Sequence, residues 1–520
     1  MTKSVAIVGA GPGGLAAAML LAHAGADVTV HERLNRIGGR SSTIEAPSPS
    51  GTFRFDMGPT FFLYPRILEE IFATCGRRLT DEVDLIRLDP QYHIVFEGGG
   101  SIQATPDLAR LTQEVARIAP ADAKNVARFM ADNRAKFAAF KPVLEQPFNS
   151  ARDLARPSML RSLRLMRPHR TVDQDLSRWF SDPRIRLAFS FQSKYLGMSP
   201  FRCPSLFTIL AFMEYEYGVF HPRGGTGSVM AAMARVARDL GVKIKLGSPV
   251  EEILFEGRRA VGVRTASGEQ RHDAVVVNAD FGHAMRTLVP DRLRSRWTDA
   301  RIRRKKFSCS TFMLYLGIEG KIDNLSHHTI YLSKNYRRNI DDIERGDAPP
   351  VDPSFYVQNA CVTDPALAPP GHSTLYVLVP VGNLIGGVNW EAESARYRKI
   401  ALDQIKKIGI PDIEHRIRFE KMFTPNDWQE QLQIHEGATF NLAHSLGQML
   451  HWRPRNRFED LDGVYLVGGG THPGSGLPVI FEGARITTRL MAQDLNLDMT
   501  GMSAELPMAS RLEPALMETL

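Results

Sequence analysis

Gly9, Gly11 and Gly14 form a Gly-x-Gly-x-x-Gly run inside "AIVGAGPGGLAAAMLL". Lacking side chains, they let backbone N–H groups approach a pyrophosphate at the positive end of a helix. Glu32 follows 18 residues after Gly14, where a carboxylate can accept hydrogen bonds from an adenosine ribose. Gly38-Gly39-Arg40 brings backbone near phosphate again, with Arg40 as a charge-assisted donor. Some 450 residues later the chain repeats the design in "GGGTHPGSGLPVIFEGARIT". Two side chains there can carry a proton. Glu482 follows the loop, where an acid in a helix's first turn also complements the dipole. His472 lies in the loop itself, as a proton carrier or as a shaper of the turn.

These residues need elements to hold them. The sequence around the first motif predicts a strand (Val5–Val8), a tight turn, a helix (Gly13–Ala24) and a second strand (Asp27–His31). Asp56-Met57-Gly58-Pro59-Thr60 reads as a turn entering a helix, and the next 120 residues are largely helical in pattern. At 221–240 the glycine-turn-to-helix theme returns, with Gly224, Gly225 and Gly227. A strand, a hairpin around Glu256-Gly257 and a buried strand, Ala274–Val277, follow. Period-two segments between 310 and 381 predict a mostly antiparallel sheet, then a helix over Glu391–Lys407. Thr424 is the N-cap of a further helix, with Pro425 in its first position.

The fold class is therefore α/β (α+β overall). A Rossmann-like nucleotide-binding domain is assembled from discontinuous segments, with a substrate domain of antiparallel sheet and helices inserted. The expected division assigns 1–100, 221–300 and 455–495 to the nucleotide domain. A mostly helical insert at 101–220 faces substrate and membrane, a sheet-and-helix substrate domain spans 301–454, and 496–520 form a flexible tail.

Composition narrows the partners. With 43% hydrophobic residues the chain can bury a large core. The net charge of +7 permits contact with nucleic acid or an anionic membrane. No zinc-finger or RNP signature is present, so no nucleic-acid partner is expected. Cys75, Cys203, Cys309 and Cys361 have no CxxC spacing and read as reduced thiols, with no metal site. The apolar run at the N-terminus is broken by glycines and a proline and reads as strand, turn and helix, not as a signal peptide. No apolar run is long enough to span a bilayer. The stretch 151–170 interleaves six arginines with Met159, Leu160, Leu163, Leu165 and Met166, the composition of an interfacial amphipathic helix or of a solvated basic helix over a core.

The extension from Arg33 to Arg40 resembles the FAD-binding signature of the large flavoprotein oxidoreductase group. Within that group the C-terminal block resembles the carotenoid (phytoene/diapophytoene) desaturases. It contains Thr424, Pro425 and Asp427; Gly437, Phe440 and Leu442; Arg453, Pro454 and Asn456; and Gly468 through Pro478. The resemblance implies FAD as cofactor and one site closed by both glycine loops. Gly9, Gly11, Gly14, Glu32, Arg33, Gly39 and Arg40 would serve it from the first segment. Gly58, Pro59 and Thr60 would pass beside the flavin, Val250 would lie near the adenine, and Gly470, Gly476, Leu477 and Pro478 would complete the site. Gly470-Thr471 stands where many flavoproteins of the group place an aspartate, and "VIFE" at 479–482 is closer to diapophytoene desaturases and related oxygenases.

The implied chemistry is desaturation of a carotenoid polyene. An allylic hydrogen leaves as hydride to the flavin and a second hydrogen leaves as a proton, with a quinone or dioxygen as the final electron acceptor. No metal, triad or nucleophile is needed. Glu482 and His472 are the catalytic candidates, and "FTILAFMEYEYGVF", with Glu214 and Glu216, forms either a tunnel wall or a plain core helix. A substrate dissolved in lipid implies a cytoplasmic protein held peripherally at the cytoplasmic membrane. Related outcomes are terminal-methyl oxygenation or desaturation of a hydroxycarotenoid. A non-catalytic prenyl-binding escort is the alternative from another class, and it predicts no bound flavin.

Overall fold

A computed structural model describes residues 2–500. The expected tail therefore lies, from residue 501 onward, outside the described residues. At the centre of the nucleotide domain is a five-stranded parallel sheet. Its order is Lys243–Lys245, Asp27–His31, Ser4–Val8, Ala274–Val277, Val464–Leu466. The strands come from three distant parts of the chain, as the discontinuous reading expected. Val5 and Ile7 point to one core and Ala6 and Val8 to another, so both faces of this strand are covered. That double burial explains why the strand reads as a continuous apolar run.

The helices Pro12–His23, Thr226–Asp239 and Leu477–Leu495 cover the first face. The antiparallel strands Val250–Glu256, Arg259–Thr265 and Gly268–Arg271, with the helix Phe281–Leu288, cover the second. Gly14 is required where helix meets sheet. A Cβ there would stand 2.2 Å from the carbonyl oxygen of Gly9. Gly9 itself takes φ +98°, which favours glycine.

The second domain is a seven-stranded sheet, antiparallel except for one pairing. Its order is Ile417–Phe423, Ser310–Glu319, His372–Val381, Phe355–Gln358, His328–Leu332, Tyr92–Phe96, Ser101–Ala104. The helix Trp390–Lys406 packs on one face through Trp390, Tyr397 and Leu402. The first nucleotide segment was expected to run to residue 100. Tyr92–Phe96 already belongs to the second sheet: it pairs in parallel with His328–Leu332 and buries Tyr92, Ile94 and Phe96.

Helices fill most of the interval from Leu108 to Tyr217. The arginine-rich stretch is not one helix. A 3-10 turn, Ala151–Ala155, is followed by a helix, Pro157–Met166, that ends at Arg167 in a left-handed conformation (φ 45°). Thr424 caps the helix Pro425–Leu432 as expected, its hydroxyl accepting from the Asp427 N–H while the Asp427 carboxylate accepts from the Thr424 N–H.

Candidate active site

A cavity of about 800 Å3 runs from the nucleotide sheet to the second sheet. Two helices begin at it. Pro12–His23 starts at Gly11 and Leu477–Leu495 starts at Gly476, and neither glycine supplies a side-chain cap. First-turn N–H groups of both helices are therefore left for an anion, with both dipoles' positive ends at the cavity. The two glycine loops thus serve one site.

Of the residues expected to bind cofactor, Gly9, Gly11, Glu32, Arg33, Gly39 and Arg40 line this cavity. So do Gly58, Pro59, Thr60, Val250, Gly476, Leu477 and Pro478. Gly14 and Gly470 do not line it and act through packing. A Cβ on Gly470 would stand 2.5 Å from Phe281 Cβ and 2.7 Å from Asn441 Oδ1. Glu32 is buried and organises the loop: its carboxylate accepts the Ala10 N–H and the Leu34 N–H, each at 2.8 Å.

Arg40 reaches across to the carbonyl of Thr439. Burial lowers its pKa from the ordinary arginine value, against the pull of Asp280. Asp280 lines the same cavity and caps the helix Phe281–Leu288. It accepts from the His283 and His435 N–H groups and from Asn441 Nδ2 at 2.5 Å. Burial raises its carboxyl above the usual range, opposed by Arg40. Asn278, two residues earlier, donates to the Gly9 carbonyl at 3.0 Å. Neither Asn278 nor Asp280 was expected from the sequence. Their signal was position: they follow the strand Ala274–Val277, and ligands of α/β sheets gather beyond strand C-termini.

Three tyrosines of the second sheet pin the segment expected beside the flavin. Tyr315 donates to the Met57 carbonyl at 2.5 Å and Tyr376 to the Gly58 carbonyl at 2.7 Å. The Tyr356 hydroxyl lies 2.8 Å from Thr60 Oγ1. These contacts span more than 250 residues of sequence and were not foreseen.

The family motif residues hold the second loop. Arg453 is fully buried and donates to the carbonyls of Leu442, Gln448, Gly469 and Thr471. Asn456 donates to the carbonyls of His472 and Gly483.

The two catalytic candidates lie outside the cavity wall. His472 donates from Nε2 to the Gln146 carbonyl at 3.0 Å, and burial pushes its pKa down to about 3. It ties the loop to the helical insert. Glu482 sits a turn beyond Pro478, where Arg485 and Arg489 of its own helix meet it at 3.0 and 3.5 Å. Arg485 also binds Glu70 at 2.6 Å, so the group is a buried ion-pair network. Glu214 is buried away from the cavity wall, accepting from Tyr92 at 2.9 Å and Gln192 at 3.1 Å. Glu216 pairs with Arg134 nearer the surface.

The cavity's far end is walled by Phe191, Ile330, Leu332, Phe355 and Leu378. The glycine loops and this largely apolar wall, which also holds Lys194, thus share one cavity.

The profile of the flavin-containing amine oxidoreductases matches residues 12–496. The chain belongs to that flavoenzyme family. It is 42% identical to a 4,4'-diapophytoene desaturase (4,4'-diapolycopene-forming) of a Methylomonas species, over 95% of this chain and 96% of that one. It is 40% identical to an all-trans-zeta-carotene desaturase of Myxococcus xanthus, over 95% and 94% of the two chains. The solved cyclohexylamine oxidase of Brevibacterium oxydans shares the fold, with a TM-score of 0.57 and 18% identity over 95% of this chain and 100% of that one. The flavoenzyme is an FAD-dependent oxidoreductase of the carotenoid desaturase type. The residues present fit FAD. Two uncapped helix starts face the cavity, a Cβ on Gly476 would meet only open space, and Arg40 supplies a cation.

Proposed function

We propose that the protein desaturates a carotenoid polyene of the 4,4'-diapophytoene type at a membrane surface. One observation carries the reading: the cofactor cradle opens directly into an apolar, aromatic-walled chamber. Bound FAD supplies the acceptor of two electrons and one hydrogen. The chain holds it through Gly9, Gly11, Glu32, Arg40 and the loop that ends at Pro478. Phe191, Phe355 and Leu378 exclude water and align the hydrocarbon. The 42% identity with a diapophytoene desaturase is the ground for naming the shorter substrate class.

A membrane surface follows from the substrate. Leaving lipid for an apolar chamber gains little of the roughly 25 cal/mol per Å2 available on leaving water, so direct transfer is favoured. Among the described residues no helix is long and apolar enough to cross a membrane. Leu160 and Leu163 on the helix Pro157–Met166 stand 57% and 36% exposed beside exposed Arg161 and Arg164. Trp452 and Leu446, 45% and 51% exposed, stand three residues to either side of Met449, which shares a buried cluster with Met159 of that helix. These residues form the membrane-facing patch of the proposal, on the cytoplasmic side, with a quinone or dioxygen reoxidising the flavin.

The test is expression in cells that make either 4,4'-diapophytoene or phytoene. The proposal expects coloured, more conjugated products in the first strain and little in the second. Conversion of phytoene alone would contradict the chain-length assignment.

A further inference from the structure

Behind the cavity wall lies a cluster of buried titratable groups to which the desaturation reading gives no role. Tyr356 lines the cavity, and its hydroxyl lies 2.8 Å from Thr60 Oγ1 and 2.7 Å from His328 Nδ1. His328 is fully buried and stacks on Phe61, with ring centroids 4.1 Å apart and planes 13° from parallel. The His327 ring stands 4.4 Å from that of His328, and the His221 ring 4.7 Å from that of His327. His327 Nδ1 meets Thr363 Oγ1 at 2.8 Å, and His221 Nε2 lies 3.5 Å from the Asp364 carboxylate. Asp364 accepts the Gly224 N–H at 2.7 Å, and Asp56 accepts both the N–H and the hydroxyl of Thr226. From Tyr356 at the cavity wall, the His328 and His327 rings stand in contact toward half-buried Thr363, and His221 flanks His327.

Such a cluster is costly as packing alone, because buried polar groups need partners. Nε2 of His328 and Nδ1 of His221 have none within the protein. Burial, with the neighbouring histidines, holds His327 and His328 well below the ordinary histidine value. Both rings therefore rest neutral, and Nδ1 of His328 is free to accept from the Tyr356 hydroxyl.

We propose that Tyr356 and His328 form a proton relay for the desaturation proposed above, taking the proton that the polyene loses at the cavity wall, with His327 and His221 behind them. The relay rests on that reading of the reaction. Each new double bond removes two hydrogens. One leaves with both electrons of its C–H bond, for which bound FAD would be the acceptor. The other leaves as a proton, and its C–H electron pair becomes the new π bond. The Tyr356 oxygen takes that proton while its own hydroxyl proton passes to His328 Nδ1. The phenol ends neutral and the imidazole carries the positive charge until the proton moves on. A C–H adjoining a delocalised cation is strongly acidic, so a phenol backed by imidazole is base enough.

The test uses purified holoenzyme and 4,4'-diapophytoene in lipid vesicles, in anaerobic single turnovers in H2O and D2O. Tyr356→Phe removes one hydroxyl from the cavity wall, and retained FAD absorption reports an intact site. The relay expects wild-type turnover to slow in D2O, and Tyr356→Phe to be about a hundredfold slower with that isotope effect lost. Tyr376→Phe, which frees the Gly58 carbonyl without touching His328, keeps the wild-type isotope effect; this separates a relay from loop positioning. His328→Gln, with FAD bound, repeats the Tyr356→Phe result. An FAD-loaded Tyr356→Phe protein with wild-type rate and isotope effect overturns the relay while leaving the desaturase reading in place. A wild-type holoenzyme that leaves the polyene unchanged overturns the reading itself, and the relay with it.

Discussion

The carboxylate of Glu32 accepts the backbone N–H of Ala10 at 2.8 Å, joining the end of the second strand to the glycine loop after the first. The same carboxylate accepts the Leu34 N–H. The acid expected at the ribose therefore also shapes the first glycine loop. Glu32→Ala loses two charge-assisted hydrogen bonds of about 1.5 kcal/mol each, which corresponds to roughly a hundredfold weaker FAD binding. Titration of apoprotein with FAD checks this. Wild-type affinity would show that Glu32 does not organise the loop.

Glu482 is expected to act in stability and not in turnover. Its carboxylate belongs to a network with Arg485, Arg489 and Glu70. Glu482→Ala should lower unfolding stability by about 2 kcal/mol, since Arg485 keeps Glu70 as a partner. Turnover per bound flavin should stay within about twofold of wild type; a loss of about a hundredfold, the size expected for a proton-transfer group, would restore Glu482 to the chemistry.

Glu214 gives the fold a pH dependence. Burial pushes its carboxyl from the ordinary value near 4.5 up to about 7, against hydrogen bonds from Tyr92 and Gln192. The folded state thus holds this proton more tightly than the unfolded one. The resulting stability is fully present below about 4.5 and is lost as pH rises through about 7. The whole swing is about 3 kcal/mol. In Glu214→Gln this decline should vanish, leaving the variant the more stable protein at pH about 8. Parallel stability–pH curves for the two proteins would refute the assignment.

The membrane patch predicts a vesicle-binding defect. Replacing Leu160 and Leu163 with serine removes two partly exposed apolar side chains from the surface. Binding to anionic vesicles should weaken about tenfold, allowing for their partial exposure. Added salt should weaken wild-type binding as well, by screening Arg161 and Arg164. Co-sedimentation unaffected by the substitutions would place the contact elsewhere.

Much of the nucleotide domain was legible because its signals are local. Val5–Val8, Gly9, Gly11, Gly14 and Glu32 fall within one strand–helix–strand unit, and Ala274–Val277 announces itself as a buried run. The C-terminal loop was legible through its resemblance to known enzymes. Tyr315, Tyr356 and Tyr376 were not, because alternation along a strand marks them as core and says nothing of the distant carbonyl or hydroxyl they meet. The His221, His327 and His328 cluster was hidden for the same reason: it forms where the strand His328–Leu332 of the second sheet meets the strand Val219–Pro222, which pairs with Phe62–Leu63 and Leu85–Arg87. Glu482 misled in the opposite way. Its closeness in sequence to Pro478 suggested a place at the cavity, but one further helical turn carries it to Arg485 and Arg489.

The central claim is that one cavity joins an FAD cradle to a polyene chamber. Its most direct test is anaerobic mixing of the purified, FAD-loaded protein with 4,4'-diapophytoene in vesicles while the visible spectrum is followed. The account predicts that flavin absorption bleaches as absorption of a more conjugated polyene grows, two electrons per double bond. Flavin that stays oxidised beside an unchanged polyene would contradict it.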